Sequence, residues 1–154
     1  MPTHHEQRAM PWSAEQLFDL VADVARYPEF IPWCTVARIR RRDGDVFWAD
    51  LVIGFKVFRE QFTSEVRLTP KDRIDVSYTD GPFRHMRNRW MFLPQEDGSC
   101  LVDFHIDFEF KSYILQKTIG ALFHEAVRRM VAAFEARARE LYGPGVGSGA
   151  PATA

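Results

Sequence analysis

Val102-Asp103-Phe104-His105-Ile106-Asp107-Phe108-Glu109-Phe110 decides the architecture. Apolar and polar residues alternate without a break. Val102, Phe104, Ile106, Phe108 and Phe110 therefore share one face of a strand, and Asp103, His105, Asp107 and Glu109 share the other. A strand with one dry and one wet face belongs to an antiparallel sheet covered on one side only.

The same period of two extends back to Thr35. Arg42-Asp43-Gly44-Asp45 reads as a hairpin turn between strands Val36–Arg41 and Val46–Ile53. Next come a strand carrying Phe58, Phe62, Val66 and Leu68, another carrying Ile74, Val76 and Tyr78, and a third over Met86–Leu93. Thr69-Pro70-Lys71-Asp72, Asp80-Gly81-Pro82 and Gln95-Glu96-Asp97-Gly98-Ser99 separate them. A first strand at about Thr3–Met10 completes the count.

Two helices flank this meander. Ser13-Ala14-Glu15-Gln16 matches a capping box, and Leu17, Leu20, Val21 and Val24 follow at helical spacing to about Ala25, where Pro28 and Pro32 stop the helix. After Phe110 the chain is expected to be helical for about 25 residues. Leu115, Ile119, Leu122, Phe123, Ala126, Val127, Met130, Ala133, Phe134 and Leu141 form its apolar stripe. Gly143-Pro144 ends it. The expected order is β-α-(β)6-α, an α+β fold in which one curved antiparallel sheet wraps a long C-terminal helix.

With 154 residues, 46% of them hydrophobic and 27% charged, the chain suits one soluble domain. Thirteen Phe, four Trp and four Tyr supply more ring area than a core of this size requires. Two arrangements accommodate it: a densely packed interior, or an apolar cavity where a curved sheet and a straight helix part company. Glu60 and Asn88 fall on dry strand positions, and a buried polar group without a partner costs about 1–3 kcal/mol. A polar ligand head would supply the partner. Tyr27-Pro28-Glu29-Phe30-Ile31-Pro32-Trp33-Cys34 fits neither helix nor strand, and its rings suit a pocket mouth, a membrane interface or a satellite cluster under a loop.

Other chemistry finds little support. His4, His5, His85, His105 and His124 show no metal-ligand spacing. Cys34 and Cys100 cannot form a disulfide framework and, with a polar N-terminus, suggest a reducing cytoplasm. No phosphate loop or nucleophile elbow occurs. No stretch reaches the roughly 20 apolar residues of a membrane span. A net charge of −1 disfavours general binding to DNA, although Arg38, Arg40, Arg41 and Arg42 with Arg84, Arg87 and Arg89 are candidates for a local basic patch.

The segment Tyr27–Cys34, the turn Asp80-Gly81-Pro82-Phe83 and the helix Phe123–Ala138 resemble the coenzyme Q-binding START-like family. That family includes the bacterial ribosome-association toxins and lies within the polyketide cyclase/START superfamily. The resemblance covers about residues 3–142. It implies a helix-grip domain over 1–142, and the Gly/Ala/Pro composition of 143–154 marks the remainder as an expected flexible tail. It further implies a bound polyprenyl quinone such as ubiquinone, no catalytic cofactor, and a carrier or chaperone role in respiration. Transient contact with the inner membrane or respiratory complexes would accompany that role.

The candidate cavity residues are Tyr27, Phe30, Ile31, Trp33, Phe58, Glu60, Phe62, Tyr78, Asn88, Trp90, Phe104, Ile106, Phe108, Ile119, Phe123, Val127, Met130 and Phe134. Nothing in the sequence separates ubiquinone from another isoprenoid or acyl lipid. Association with a ribosomal subunit is the alternative function, and a cyclase or aromatase using Glu60 as its acid/base group is a third.

Overall fold

The structure, a computed structural model, describes residues 3–55, 58–120 and 123–145. Strand β1 (Thr3–Met10) is followed by helix α1 (Ala14–Ala22) and a 3-10 segment (Val24–Glu29). Six strands come next: β2 (Cys34–Asp43), β3 (Val46–Phe55), β4 (Phe58–Thr69), β5 (Arg73–Asp80), β6 (Phe83–Pro94) and β7 (Cys100–Phe110). Helices α2 (Tyr113–Gly120) and α3 (Phe123–Tyr142) end the chain. The expected order of one strand, one helix, six strands and a helical C-terminus is present.

All seven strands form one antiparallel sheet in the order β1-β7-β6-β5-β4-β3-β2. Consecutive strands are neighbours except that β1 crosses to pair with β7, leaving β1 and β2 as the two edges. Register shifts interrupt β2/β3, β4/β5 at Thr63/Ser64, and β6/β7 at Phe83/His85. Such bulges increase local twist and bend a strand, which curls this sheet around α3.

The capping box forms as read: the Gln16 amide donates to Ser13 Oγ and the Ser13 amide to Gln16 Oε1, both at 3.0 Å. Helix α1 ends at Ala22, short of the expected Ala25. Pro28 does not stop it; it sits inside the 3-10 segment. At the C-terminus the expected single helix is described as α2 and α3, with residues 121–122 between them outside the described residues.

The buried stripe of α3 is Val127, Val131, Phe134 and Ala138, spaced i, i+4, i+7, i+11. Leu141, assigned to that stripe from sequence, is half exposed. Gly143 and Gly145, assigned to the tail from sequence, lie against the segment before α1. Trp12 Nε1 donates to the Gly143 carbonyl at 2.8 Å, and a Cβ on Gly145 would stand 2.2 Å from the Pro11 oxygen. Residues 146–154 lie outside the described residues.

The core divides along α3. At its C-terminal half the sheet is covered by two helices: α1 packs on β5, β6 and α3, and Phe18 meets Phe92 edge-on at 5.9 Å. Trp12, Leu17, Phe92, Val102 and Ala138 are fully buried there. At its N-terminal half α3 faces the curved sheet without that second layer.

Candidate functional site: an apolar cavity between sheet and helix

A cavity of about 240 Å³ occupies the space that α1 does not fill. Strands supply most of its wall through positions of one parity. Ala49, Leu51 and Ile53 come from β3, Phe62, Ser64 and Val66 from β4, and Val76 from β5. Phe83, Met86, Asn88 and Trp90 come from β6, and Phe104, Ile106, Phe108 and Phe110 from β7. Helix α3 contributes Ala126, Val127, Met130 and Phe134. The proline-aromatic segment and its flanks contribute Val24, Tyr27, Ile31, Trp33 and Cys34. Edge-on ring contacts hold the wall in place, among them Phe62–Phe83 at 5.4 Å and Tyr27–Phe134 at 5.4 Å.

Of the residues expected to line a cavity, Tyr27, Ile31, Trp33, Phe62, Asn88, Trp90, Phe104, Ile106, Phe108, Val127, Met130 and Phe134 do so. Phe30 does not. Its ring packs on Tyr27 and Phe134 from outside and lines a shallow depression with Pro32, Trp33 and Ala133. Tyr78 also stands behind the wall, with its hydroxyl donating to the Gly81 carbonyl and its ring edge-on to Phe83 at 5.3 Å. Glu60 has the inward parity but sits opposite Ile53 near the hairpin end of β4, and the cavity does not reach it. The side chains of Phe58, Ile119 and Phe123 lie outside the described residues.

Sequence reading missed Ala49, Leu51, Ile53, Ser64, Val66, Val76, Phe83, Met86, Phe110 and Ala126 as wall residues. Strand parity marks Ser64, which lies between Phe62 and Val66, and likewise Val66, Val76, Met86 and Phe110, whereas Phe83 has the other parity from Met86 and reaches the wall through the register shift at Phe83/His85. Val24 and Cys34 had no such signal, because they reach the cavity through the path of an irregular segment.

The electrostatics of the site are those of a dry chamber. Among the described lining residues, Tyr27 and Cys34 are the two with ionisable side chains. Burial pushes the Cys34 thiol up to about 11. It raises the Tyr27 phenol further, with Cys34 and Asp23 adding to the shift. Both are protonated and neutral at pH 7. The Tyr27 hydroxyl donates to the Val21 carbonyl at 2.5 Å, tying the segment to the end of α1. Among the described lining residues none is charged at pH 7, a lining suited to apolar matter.

The outer face of the sheet is polar and cross-linked. His5 pairs with Asp103 at 3.0 Å, His85 with Asp107 at 2.9 Å and Arg89 with Asp75 at 3.1 Å. The seven arginines proposed for one basic patch do not come together. Arg84, Arg87 and Arg89 lie on β6, four strands from β2, or about 19 Å across a sheet. Arg38, Arg40, Arg41 and Arg42 do cluster on the β2 edge. Arg38 and Arg40 approach the buried Asp50 at 3.4 and 3.5 Å, and Arg41 lies over the Trp48 ring at 4.1 Å.

A curved antiparallel sheet closed on a C-terminal helix around a ring-lined chamber defines the helix-grip class. The chain belongs to the polyketide cyclase / dehydrase and lipid transport family, whose model matches residues 10–135. It is 38% identical over 132 residues to the ribosome association toxin RatA of Vibrio cholerae, covering 86% of this chain and 92% of that one. It is 35% identical over 144 residues to the mitochondrial coenzyme Q-binding protein COQ10 homolog B of Xenopus laevis, covering 91% of this chain and 59% of that one. Among solved structures, the 18 kDa protein CC1736 of Caulobacter crescentus is 39% identical with a TM-score of 0.76, covering 93% of this chain and 99% of that one.

Proposed function

We propose that the protein is a non-catalytic carrier that holds the head of a polyprenyl quinone, ubiquinone or a close relative, in the cavity between sheet and α3. The observation that carries this reading is a ring-lined, uncharged chamber in a chain related to a coenzyme Q-binding protein. Volume sharpens it. About 240 Å³ is below the roughly 300–1,000 Å³ of sites that enclose drug-sized ligands. The chamber as it stands accepts a head group and the start of a tail, and the rest of a long isoprenoid chain extends beyond it.

Loading from a bilayer follows naturally, with the protein cytoplasmic and only peripherally attached. Tyr113 and Ile114, 75% and 74% exposed, open α2 between the exposed Lys111 and Lys117. Gln116 Oε1 accepts from the Phe110 amide at 2.8 Å, which ties α2 to the Phe83/Phe110 end of the cavity. An aromatic and an aliphatic side chain flanked by lysines match an anionic lipid surface.

The test is mass spectrometry of an organic extract of protein purified from a ubiquinone-containing host. A stoichiometric polyprenyl quinone is expected. Extracts with no polyprenyl lipid above control would overturn the proposal.

The arginine edge favours one second reading, contact with a ribosomal subunit, in keeping with the name of the toxin relatives. Sedimentation of lysate through a sucrose gradient tests it. Salt-sensitive co-migration with a subunit, abolished by R38E/R41E, would support it.

A further inference from the structure

We propose that the cavity selects head groups that carry a hydrogen-bond donor, and so holds a quinol in preference to the corresponding quinone. The inference rests on reading the cavity as a prenylquinone site and adds which redox form that site is built for.

Besides the indoles of Trp33 and Trp90, four polar side chains stand in the wall, and two of them are already engaged within the protein. The Tyr27 hydroxyl donates to Val21, and the Cys34 thiol lies 3.7 Å from the Val36 carbonyl oxygen. The other two are Ser64 and Asn88. Ser64 is 1% exposed, and its hydroxyl oxygen has no partner among the described residues. Asn88 aims Nδ2 at Met86 Sδ, 3.7 Å away, which leaves its buried Oδ1 without a partner. An N–H group can donate to a thioether, whereas a carbonyl oxygen placed there would gain nothing, so the amide orientation has a physical cause.

The chemistry of these two groups differs. A serine hydroxyl donates and accepts, and an amide oxygen only accepts. A quinone carries oxygens that only accept, so it can satisfy Ser64 and must leave Asn88 Oδ1 desolvated and unmet. A quinol carries hydroxyls and can satisfy both. A hydrocarbon satisfies neither group, and an ester lipid, like a quinone, can satisfy Ser64 alone. Ser64 on β4 and Asn88 on β6 are separated by β5, about 10 Å apart across the sheet. They therefore act at different points along the chamber, and selection between redox forms falls to Asn88.

Equilibrium dialysis with a short-chain prenyl benzoquinone, and anaerobically with its dithionite-reduced hydroquinone, provides the test. We expect the wild-type protein to bind the hydroquinone about tenfold more tightly, the worth of one buried hydrogen bond. Asn88→Leu should bring the two affinities together by weakening the hydroquinone, and Ser64→Ala should weaken both forms alike. Equal wild-type affinities would overturn the selection while leaving the carrier reading intact. A preference for the quinone would also overturn it, because Nδ2 would then be the group facing the ligand. Failure to bind either form would count against the carrier reading itself.

Discussion

The ring of Phe134 on α3 meets the indole of Trp90 on β6 at 5.0 Å, inclined at 68°, with both residues in the cavity wall. This is one point where helix and sheet touch, beside the Arg8–Glu135 pair that joins β1 to α3 at 2.7 Å. Beyond it, toward the C-terminus of α3, the interior is packed with side chains from α1; before it, the interior is open. Phe134 also meets Tyr27 and Phe30, so one side chain joins helix, sheet and proline-aromatic segment.

Phe134→Ala should therefore destabilise the protein by about 3–5 kcal/mol, the cost of removing a buried aromatic ring together with its partners' contacts. Urea unfolding followed by tryptophan fluorescence measures it. A change below about 1 kcal/mol would show that the three elements are held together elsewhere.

Ala126 lines the open half of the chamber, and a larger side chain there has room to point inward. Ala126→Phe should expel most bound lipid without lowering Tm, because it fills space rather than displacing packed atoms. Val127→Glu should abolish retention by placing a carboxylate at a 5% exposed position. Lipid recovered from folded A126F at wild-type stoichiometry would move the ligand out of this cavity.

Alkaline pH should weaken the fold through its two thiols. Burial pushes Cys34 and Cys100 from an ordinary value of 9.0 up to about 11. The folded state thus keeps its protons where the unfolded chain has lost them. That contribution is complete below about pH 9 and is lost as pH rises through about 11, an effect of order 1–3 kcal/mol. The urea midpoint should fall across this range in the wild type and fall less in a Cys34→Ala/Cys100→Ala variant. Parallel profiles for the two proteins would refute the assignment.

The α2 surface should act in membrane contact and not in stability. Tyr113→Ser/Ile114→Ser should reduce co-sedimentation with anionic vesicles severalfold and leave Tm unchanged, since both side chains are mostly exposed. Undiminished vesicle binding would place the contact on another face.

Much of the site was legible from one rule of geometry. Alternation in β7 and β6 put Phe104, Ile106, Phe108, Asn88 and Trp90 on one face, and that face lines the cavity. Applied to every strand, the same rule would have added Ser64, Val66, Val76, Met86 and Phe110, while Phe83 enters only through the register shift at Phe83/His85. It misplaced Glu60, because parity says which way a side chain points and not whether the helix reaches that far along the strand.

Period and turn chemistry are local, so the sequence by itself determined the element order, the dry faces of β4 to β7, the α1 cap and the identity of the family. Register shifts, the crossing of β1 to β7 and the docking of α1 over one half of the sheet join residues far apart in the chain. Only the tertiary structure decided these, and with them which half of the interior is packed and which half stays open. The rotation of α3 that buries Val131 and Ala138 while exposing Leu141 belongs to the same set, because a helix turns whichever stripe best fits the curved surface it meets.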